Sequence, residues 1–378
     1  MSTGLKIGKK QMLTIDNQTW EYWSTRYDWV LQMHNVPQDP IHHAEGNVAI
    51  HTQMVLEALT SLPEYKELTQ TEQSILWYAA LMHDIEKRST TVIDEYGRIS
   101  SPGHAKKGER TARQILYQDF AMPFEYREQI AKLVRYHGLP LWIFEKTSPE
   151  QTLIKVSLEV NTKLLAILAK ADVLGRICED QKLLLEKVEL FKLLCQEQQC
   201  WGTKRIFPSN YSRFEFFRQE SLYPDTLLFD ESKVKVILLS GVAGTGKDYW
   251  IQKNCGDLPV ISLDDLRRKL KISPTDTKGN GKVIQLAKEQ AKEYLRSQQS
   301  FVWNATNITM QMREQLISLF VSYRAFVEIV YLEVPYKVLL QQNSKREAVV
   351  PEKIIHRMIE KWEVPNLWEA HEVKYVCK

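Results

Sequence analysis

The residues Gly241-Val242-Ala243-Gly244-Thr245-Gly246-Lys247-Asp248 follow the apolar run 234–239 almost without a gap. That junction constrains the fold of the second half more than any other feature of the chain. Glycines at this spacing turn a buried strand sharply into a helix. The freed backbone N–H groups and the helix N-terminus then cradle phosphate oxygens. Lys247 reaches the β and γ oxygens of a nucleotide held there, so Gly241, Gly244, Thr245, Gly246, Lys247 and Asp248 are the nucleotide-binding candidates. A Ser or Thr usually follows the lysine and ligates Mg²⁺. Here Asp248 brings a carboxylate close to the phosphates, as a direct or a water-mediated magnesium ligand. The expected cofactor is ATP, or another nucleoside triphosphate, with Mg²⁺.

Apolar runs at 234–239, 258–263, 301–304 and 326–334 alternate with helical segments, the pattern of a parallel α/β sheet. The first two hundred residues carry a different period. Val48, His51, Val55 and Leu59 recur at spacings of three and four, one face of a helix over 47–59. Further helices are expected over 72–83, from Gly103-His104 onward, over 125–137 before Gly138 and Pro140, and over 152–168. No strand pattern competes with them. Between 200 and 232 the pattern breaks at Phe207-Pro208-Ser209-Asn210 and Tyr223-Pro224-Asp225, which reads as an ordered linker. The expected organisation is an all-α domain over 1–200, a linker over 201–232 and an α/β domain over 233–378.

The helical half holds six metal-type ligands in the order His51, His83-Asp84, His104, His137, Asp172. A His followed directly by Asp at a helix end can present an imidazole and a carboxylate to one centre. Imidazole with carboxylate favours Fe, Mn, Co, Ni or Zn over Ca, and such ions lower the pKa of bound water toward neutrality. His43 is a weaker candidate for substrate contact, and His34 and His42 read as solvated.

In this half the chain resembles the HD phosphohydrolase superfamily. Gly46-Asn47-Val48-Ala49-Ile50-His51-Thr52, Leu81-Met82-His83-Asp84-Ile85, Gly103-His104-Ala105-Lys106-Lys107-Gly108, Tyr136-His137-Gly138 and Lys170-Ala171-Asp172-Val173-Leu174-Gly175-Arg176 are similar to its motifs. The resemblance implies two metals bridged by Asp84. His51 and Asp172 complete one site, His104 and His137 the other, and Lys87 binds substrate phosphate. The ions implied are drawn from Mn, Co, Ni, Cu, Zn and Fe. Glu86 departs from the pattern, standing where a glycine is common, and its acidic side chain bears on substrate access.

Ser262-Leu263-Asp264-Asp265-Leu266-Arg267 lies at the end of the second expected strand, where ligands gather in an open α/β sheet. Read alone, the two aspartates are a helix cap. Asn343-Ser344-Lys345-Arg346 before Pro351 reads alone as a solvated basic cluster, or as a mobile lid. Together with Trp303-Asn304-Ala305-Thr306-Asn307, these segments resemble the polynucleotide 5′-kinase family. That likeness implies Asp264 as general base, Arg267 on the phosphate beside the 5′-hydroxyl and Arg346 as the transition-state arginine.

Both halves in this order resemble HD-Pnk, a bacterial family joining an HD phosphohydrolase to a polynucleotide 5′-kinase. The resemblance implies RNA or DNA ends as substrate and a nucleic-acid ligase acting downstream. Charge is compatible with this: from Lys233 onward 23 lysines and arginines face 16 acidic residues, and the rest of the chain is net acidic. A metabolic nucleotidase fused to a mononucleotide or small-molecule kinase is the alternative. A binding module with a decayed metal site is a third reading, which the six retained ligands disfavour. Five scattered cysteines, no C-x-x-C pair and no long apolar run point to reduced thiols, no membrane span and a cytoplasmic protein. The basic N-terminus supplies no apolar stretch for a signal peptide.

Overall fold

Helical spacing in the first half and strand–helix alternation in the second are both realised in the structure. It is a computed structural model describing residues 19–378 apart from 220, 274 and 347 and the side chain of 277. The N-terminal stretch judged free of a signal peptide lies outside the described residues. The chain divides into two units, one of residues up to 204 other than 116–121, the other of 116–121 and 205–378. Among the described residues no helix is long and apolar enough to cross a membrane.

Helices of seven or more residues are numbered in chain order. The first unit contains α1 Trp20–Arg26, α2 Val48–Ser61, α3 Gln70–Met82, α4 His104–Gln118 except its last three residues, α5 Phe124–Tyr136, α6 Pro149–Ser157, α7 Thr162–Leu174 and α8 Gln181–Glu197. A capping box starts α3: Thr69 accepts from the Glu72 N–H, and the Glu72 carboxylate accepts from the Thr69 N–H at 3.0 Å. Such a cap contributes about 1 kcal/mol, and here it fixes the helix whose last turn delivers His83. Ser74 to Met82 are all buried, so α3 is a central element enclosed on every side.

Two expectations for this unit are corrected. The segment 152–168 is two helices, because the Asn161 side chain accepts from the N–H groups of Lys163 and Leu164 and starts α7 afresh. A short antiparallel hairpin, β1 Val92–Ile93 with β2 Ile99–Ser100, interrupts the helices. Its strands are two residues each, too short to leave a period in the sequence.

The second unit begins with α9 Asn210–Phe216, a helix inside the stretch read as irregular linker; Ser209 caps it by accepting from the Ser212 N–H. There follow β3 Val234–Ser240, α10 Lys247–Asn254, β4 Val260–Ser262, α11 Leu263–Leu270, α12 Thr277–Arg296, β5 Phe301–Asn304 and α13 Met310–Val321. The unit ends with β6 Ala325–Glu333, α14 Tyr336–Ser344, α15 Glu352–Lys361 and β7 Glu372–Cys377. The five strands are parallel in the order β4-β5-β3-β6-β7.

Strand alternation divides the core. Val236 and Leu238 join Trp303, Phe320 and Ile329 in one cluster, while Ile237 and Leu239 join Val302 and Val330 in another. Both faces of the sheet are therefore covered, as a parallel sheet requires. The edge strand β7 was not anticipated; its pattern is half-exposed, without a continuous apolar run. Buried Arg313 holds the segment leading into it, pairing with the Glu369 carboxylate at 2.7 and 3.0 Å.

Candidate functional site

In the first unit the six expected ligands converge. His51 projects from the buried face of α2, His83 and Asp84 follow α3, His104 opens α4, His137 ends α5 and Asp172 lies near the end of α7. Gly175 permits the closest approach. A Cβ there would lie 2.7 Å from the Val55 backbone nitrogen and 2.9 Å from its Cα, so only glycine lets the end of α7 reach α2 and bring Asp172 beside His51.

Asp84 stands between two ligand sets. Its Oδ2 is 3.3 Å from His83 Nε2 and 3.8 Å from His51 Nε2. Its Oδ1 is 3.4 Å from His104 Nε2 and 3.8 Å from His137 Nε2, and has no hydrogen-bond partner among the described residues. Asp172 Oδ1 is 3.1 Å from His51 Nε2, placing it with His51 and His83. The donors form two separable clusters, His51–His83–Asp172 and Asp84–His104–His137.

These residues fit divalent metals on structural grounds. His83, His104 and His137 each place Nδ1 2.7–2.8 Å from a backbone carbonyl, of Ala80, Ser101 and Val134 respectively. A carbonyl only accepts, so each Nδ1 carries the proton and each Nε2 turns a lone pair inward. The Nε2 atoms pair off: those of His51 and His83 are 3.3 Å apart, and those of His104 and His137 are 3.4 Å apart. Two nitrogens bound tetrahedrally to one ion at about 2.0–2.1 Å are separated by about 3.3–3.4 Å. A cation between each pair suits the distance observed.

Electrostatics favour the ligating forms of His137, Asp84 and Asp172, whereas at His51 burial is outweighed by the Asp172 and Glu45 carboxylates, which raise its pKa. Burial and the neighbouring His83 push His137 down to about 3, so it is neutral. Burial alone would raise Asp84 and Asp172, but Lys87 and His83 hold the first, and Arg176 and His51 the second, well below the usual carboxylate range. Lys87 Nζ lies 2.8 Å from Asp84 Oδ2 and donates to Gln38 Oε1 at 2.7 Å. Glu86 is buried, its carboxylate taken up by Thr111 at 2.8 Å, Lys107 at 3.0 Å and Ser89.

Sequence reasoning missed the supports. Glu45 Oε1 is 2.8 Å from Nδ1 of both His51 and His43, and its Oε2 accepts from the Ile177 N–H at 2.9 Å. It therefore orients His51 and ties the loop before α2 to the loop after α7. His43 thus takes up Glu45, and burial lowers its pKa to about 4. His34 and His42 are exposed as expected. Glu45 lies two and six residues from its histidine partners, but the backbone partner that fixes its carboxylate is 132 residues away.

In the second unit one cavity of about 1180 Å³ is lined by Gly244, Thr245, Gly246, Lys247, Asp248, Asp264, Arg267 and Arg346. Gly241 is not on the lining but shapes the loop beneath it. Its φ is +147°, and a Cβ would stand 2.5 Å from the Leu332 carbonyl oxygen. Lys247 donates to the carbonyls of Gly241 at 3.0 Å and Val242 at 2.9 Å, so it is folded onto its own loop. Burial, with Arg346 adding to it against Asp248 and Asp264, lowers its pKa to about 8.

Asp248 accepts from Asn304 Nδ2, and Arg267 donates to Asp264 Oδ1 and, through Nε, to Asn280 Oδ1 at 2.7 Å. The cap of α11 is Ser262, which accepts from the Asp265 N–H at 3.2 Å; the aspartates expected as cap sit inside the first turn. Asn343, buried at the end of α14, donates to the Val350 carbonyl at 2.7 Å and accepts from its N–H at 3.1 Å. That clasp closes the loop bearing Arg346.

Residues 48–177 match the HD domain family, and residues 236–365 match an AAA domain family. The chain carries an HD domain followed by a P-loop kinase-like domain. Over 108 residues, 29% of this chain, it is 34% identical to the multifunctional CCA protein of Methylococcus capsulatus, and spans 23% of that relative. Solved structures that align with the chain include the following two. A candidate kinase from Chloroflexus aurantiacus is 17% identical over 39% of this chain and 86% of its own, with TM-score 0.33. A sugar kinase from Janibacter sp. is 15% identical over 38% of this chain and 85% of its own, with TM-score 0.30.

Proposed function

We propose that the chain heals nucleic-acid ends: the HD domain removes a 3′-phosphate, 2′-phosphate or 2′,3′-cyclic phosphate, and the kinase-like domain phosphorylates a 5′-hydroxyl with ATP and Mg²⁺. The products are the 3′-hydroxyl and 5′-phosphate that a ligase joins. The observation that carries this reading is the gathering of Lys247, Asp264, Arg267 and Arg346 around one cavity. Nucleotide phosphate, attacking hydroxyl, acceptor phosphate and transferring phosphoryl group each have a matching side chain there.

In the kinase-like domain the phosphates of the nucleotide draw Lys247 off the Gly241 and Val242 carbonyls onto the β and γ oxygens. Asp264, 70% exposed on the cavity, accepts the proton of the 5′-hydroxyl as it attacks. Asn280 and Asp264 hold the Arg267 guanidinium against the phosphate next to that hydroxyl. Arg346, on the clasped loop, faces the charge that spreads over the transferring group.

In the HD domain the donor set suits two divalent transition ions held by His51, His83, Asp84 and Asp172 on one side and Asp84, His104 and His137 on the other. When bound, such ions supply a nucleophilic water and neutralise phosphoryl oxygens. Lys87 binds a substrate phosphoryl oxygen. Glu45 and the backbone carbonyls hold the imidazoles in the tautomer that ligates.

The test is an oligonucleotide with 5′-hydroxyl and 3′-phosphate ends, incubated with ATP and with magnesium or a transition metal, each end resolved separately. Conversion of both ends is expected. Equal or better turnover of mononucleotides or sugars would overturn the polynucleotide reading.

A further inference from the structure

His104 opens α4, His137 ends α5, and the charges along the two helices fall in register. Glu109 and Arg113 lie five and nine residues after His104; Lys132 and Glu128 lie five and nine residues before His137. Lys132 Nζ is 3.1 Å from Glu109 Oε1, and Arg113 donates through Nε to Glu128 Oε2 at 2.9 Å. Arg113 Nη2, 2.8 Å from Glu109 Oε1, joins the two rungs. The helices are thus pinned antiparallel, with His104 and His137 opposite each other at one end. Gly108 lets them come close: a Cβ there would lie 3.0 Å from Val134 Cγ1.

Arg113, Glu128 and Lys132 are buried, and Glu159 Oε2 holds the Lys132 ammonium at 2.7 Å. Burial alone would raise Glu109, but Lys132 and Arg113 hold it down to about 2. The Glu109 and Glu159 carboxylates in turn outweigh burial at Lys132 and keep it charged. Buried ion pairs add little net stability over apolar side chains of similar volume, because desolvation offsets the attraction. What they impose is geometry. A slide of one residue, about 1.5 Å along the axis, would break both rungs, whereas apolar contacts would repack. Ligand atoms around an ion must be placed within about 0.2 Å. Neither α2 nor α7, which supply His51 and Asp172, carries a residue of this ladder.

We propose that Glu109, Lys132, Arg113 and Glu128 are positioning residues for one metal centre only, that of Asp84, His104 and His137, because they fix the register of α4 against α5. The inference rests on the reading that the HD domain holds two ions, and deepens it. Removing a rung loosens that ion and leaves the ion on His51, His83 and Asp172 in place. A network that only stabilised the domain would weaken both alike.

The full-length protein is stripped of metal and titrated with Co²⁺ against a chelator, with the visible absorption of the bound ions followed. His137→Ala, which deletes a ligand of one centre, assigns the two binding steps. In Lys132→Met the ion on His104 and His137 should bind about tenfold more weakly, the lower end of the cost of losing a group that orients a ligand. Glu109→Gln keeps the shape of the pair and serves where Lys132→Met fails to fold; its loss, in the same direction, should be about threefold. The other ion should keep its wild-type affinity in both variants.

A wild-type protein that binds two Co²⁺, with both weakened equally in the variants or neither weakened, overturns the ladder's role and leaves the two-ion reading intact. A wild-type protein that binds fewer than two overturns both.

Discussion

Asp248 accepts a hydrogen bond from Asn304 at 2.6 Å, joining the first turn after the phosphate loop to the end of the adjacent strand. The residue standing where a hydroxyl is usual is thus held in place across the cavity. A carboxylate fixed there attracts magnesium more strongly than a hydroxyl does. Asp248→Asn should therefore raise the Mg²⁺ concentration needed for half-maximal kinase activity, by about tenfold, with a smaller change in ATP KM at saturating Mg²⁺. Asn304→Ala should shift it in the same direction by less, because the charge remains but its orientation is lost. A magnesium titration of each variant checks this; an unchanged requirement in Asp248→Asn removes the residue from the metal's surroundings.

Separate chemistries should separate by mutation. Lys247→Ala removes the cation that reaches the β and γ phosphates, and 5′-phosphorylation should vanish while phosphate removal persists. Asp84→Ala deletes the carboxylate standing between both histidine sets, and should do the reverse. Each variant is assayed on the doubly blocked oligonucleotide, with circular dichroism to confirm folding. Loss of both activities in one folded variant contradicts two independent sites.

The residues that converge in the two units were legible in the sequence because each sits in a local context: a doublet at a helix end, a histidine opening a helix, a lysine after spaced glycines. What orients them was not. Glu45, Gln38, Asn280 and Asn304 act on partners 6, 49, 13 and 56 residues away, through contacts that exist only once the chain has folded. The fold followed the same rule. Continuous apolar runs announced four buried strands, whereas β7, half-exposed at the sheet edge, and the two-residue strands of the hairpin carried too little pattern to declare themselves. Asn161 shows the limit in the other direction: apolar spacing runs through it, and only its side-chain cap breaks the helix.

Glu45 should be worth measurable metal affinity. Its carboxylate accepts the His51 Nδ1 proton, which fixes the tautomer and raises the basicity of Nε2. Replacement of such a partner typically costs about 10–100-fold in affinity. Glu45→Gln keeps the size and loses the charge, so competition against a chelator should show one of two bound transition ions weakened by that factor and the other, on His104 and His137, little changed. Two ions weakened equally would mean that Glu45 acts on the fold as a whole and not through His51.

His371 should set an acid limit on the kinase-like domain. Its Nδ1 accepts the Val327 N–H at 3.0 Å, and its ring lies among Tyr211, Phe214 and Phe326, so it is held as a neutral acceptor. Burial lowers its pKa from 6.5 to about 4. The unfolded chain therefore binds the proton first as pH falls, and stability is full above about 6.5 and lost progressively down to about 4, where the folded ring also protonates. A shift of that size corresponds to about 3 kcal/mol. His371→Asn cannot titrate. Its deficit in unfolding free energy relative to the wild type, read from urea midpoints, should be largest at pH 7.5 and should shrink by about that amount at pH 4.5. A deficit that stays constant between the two pH values would show that the ring is not held neutral.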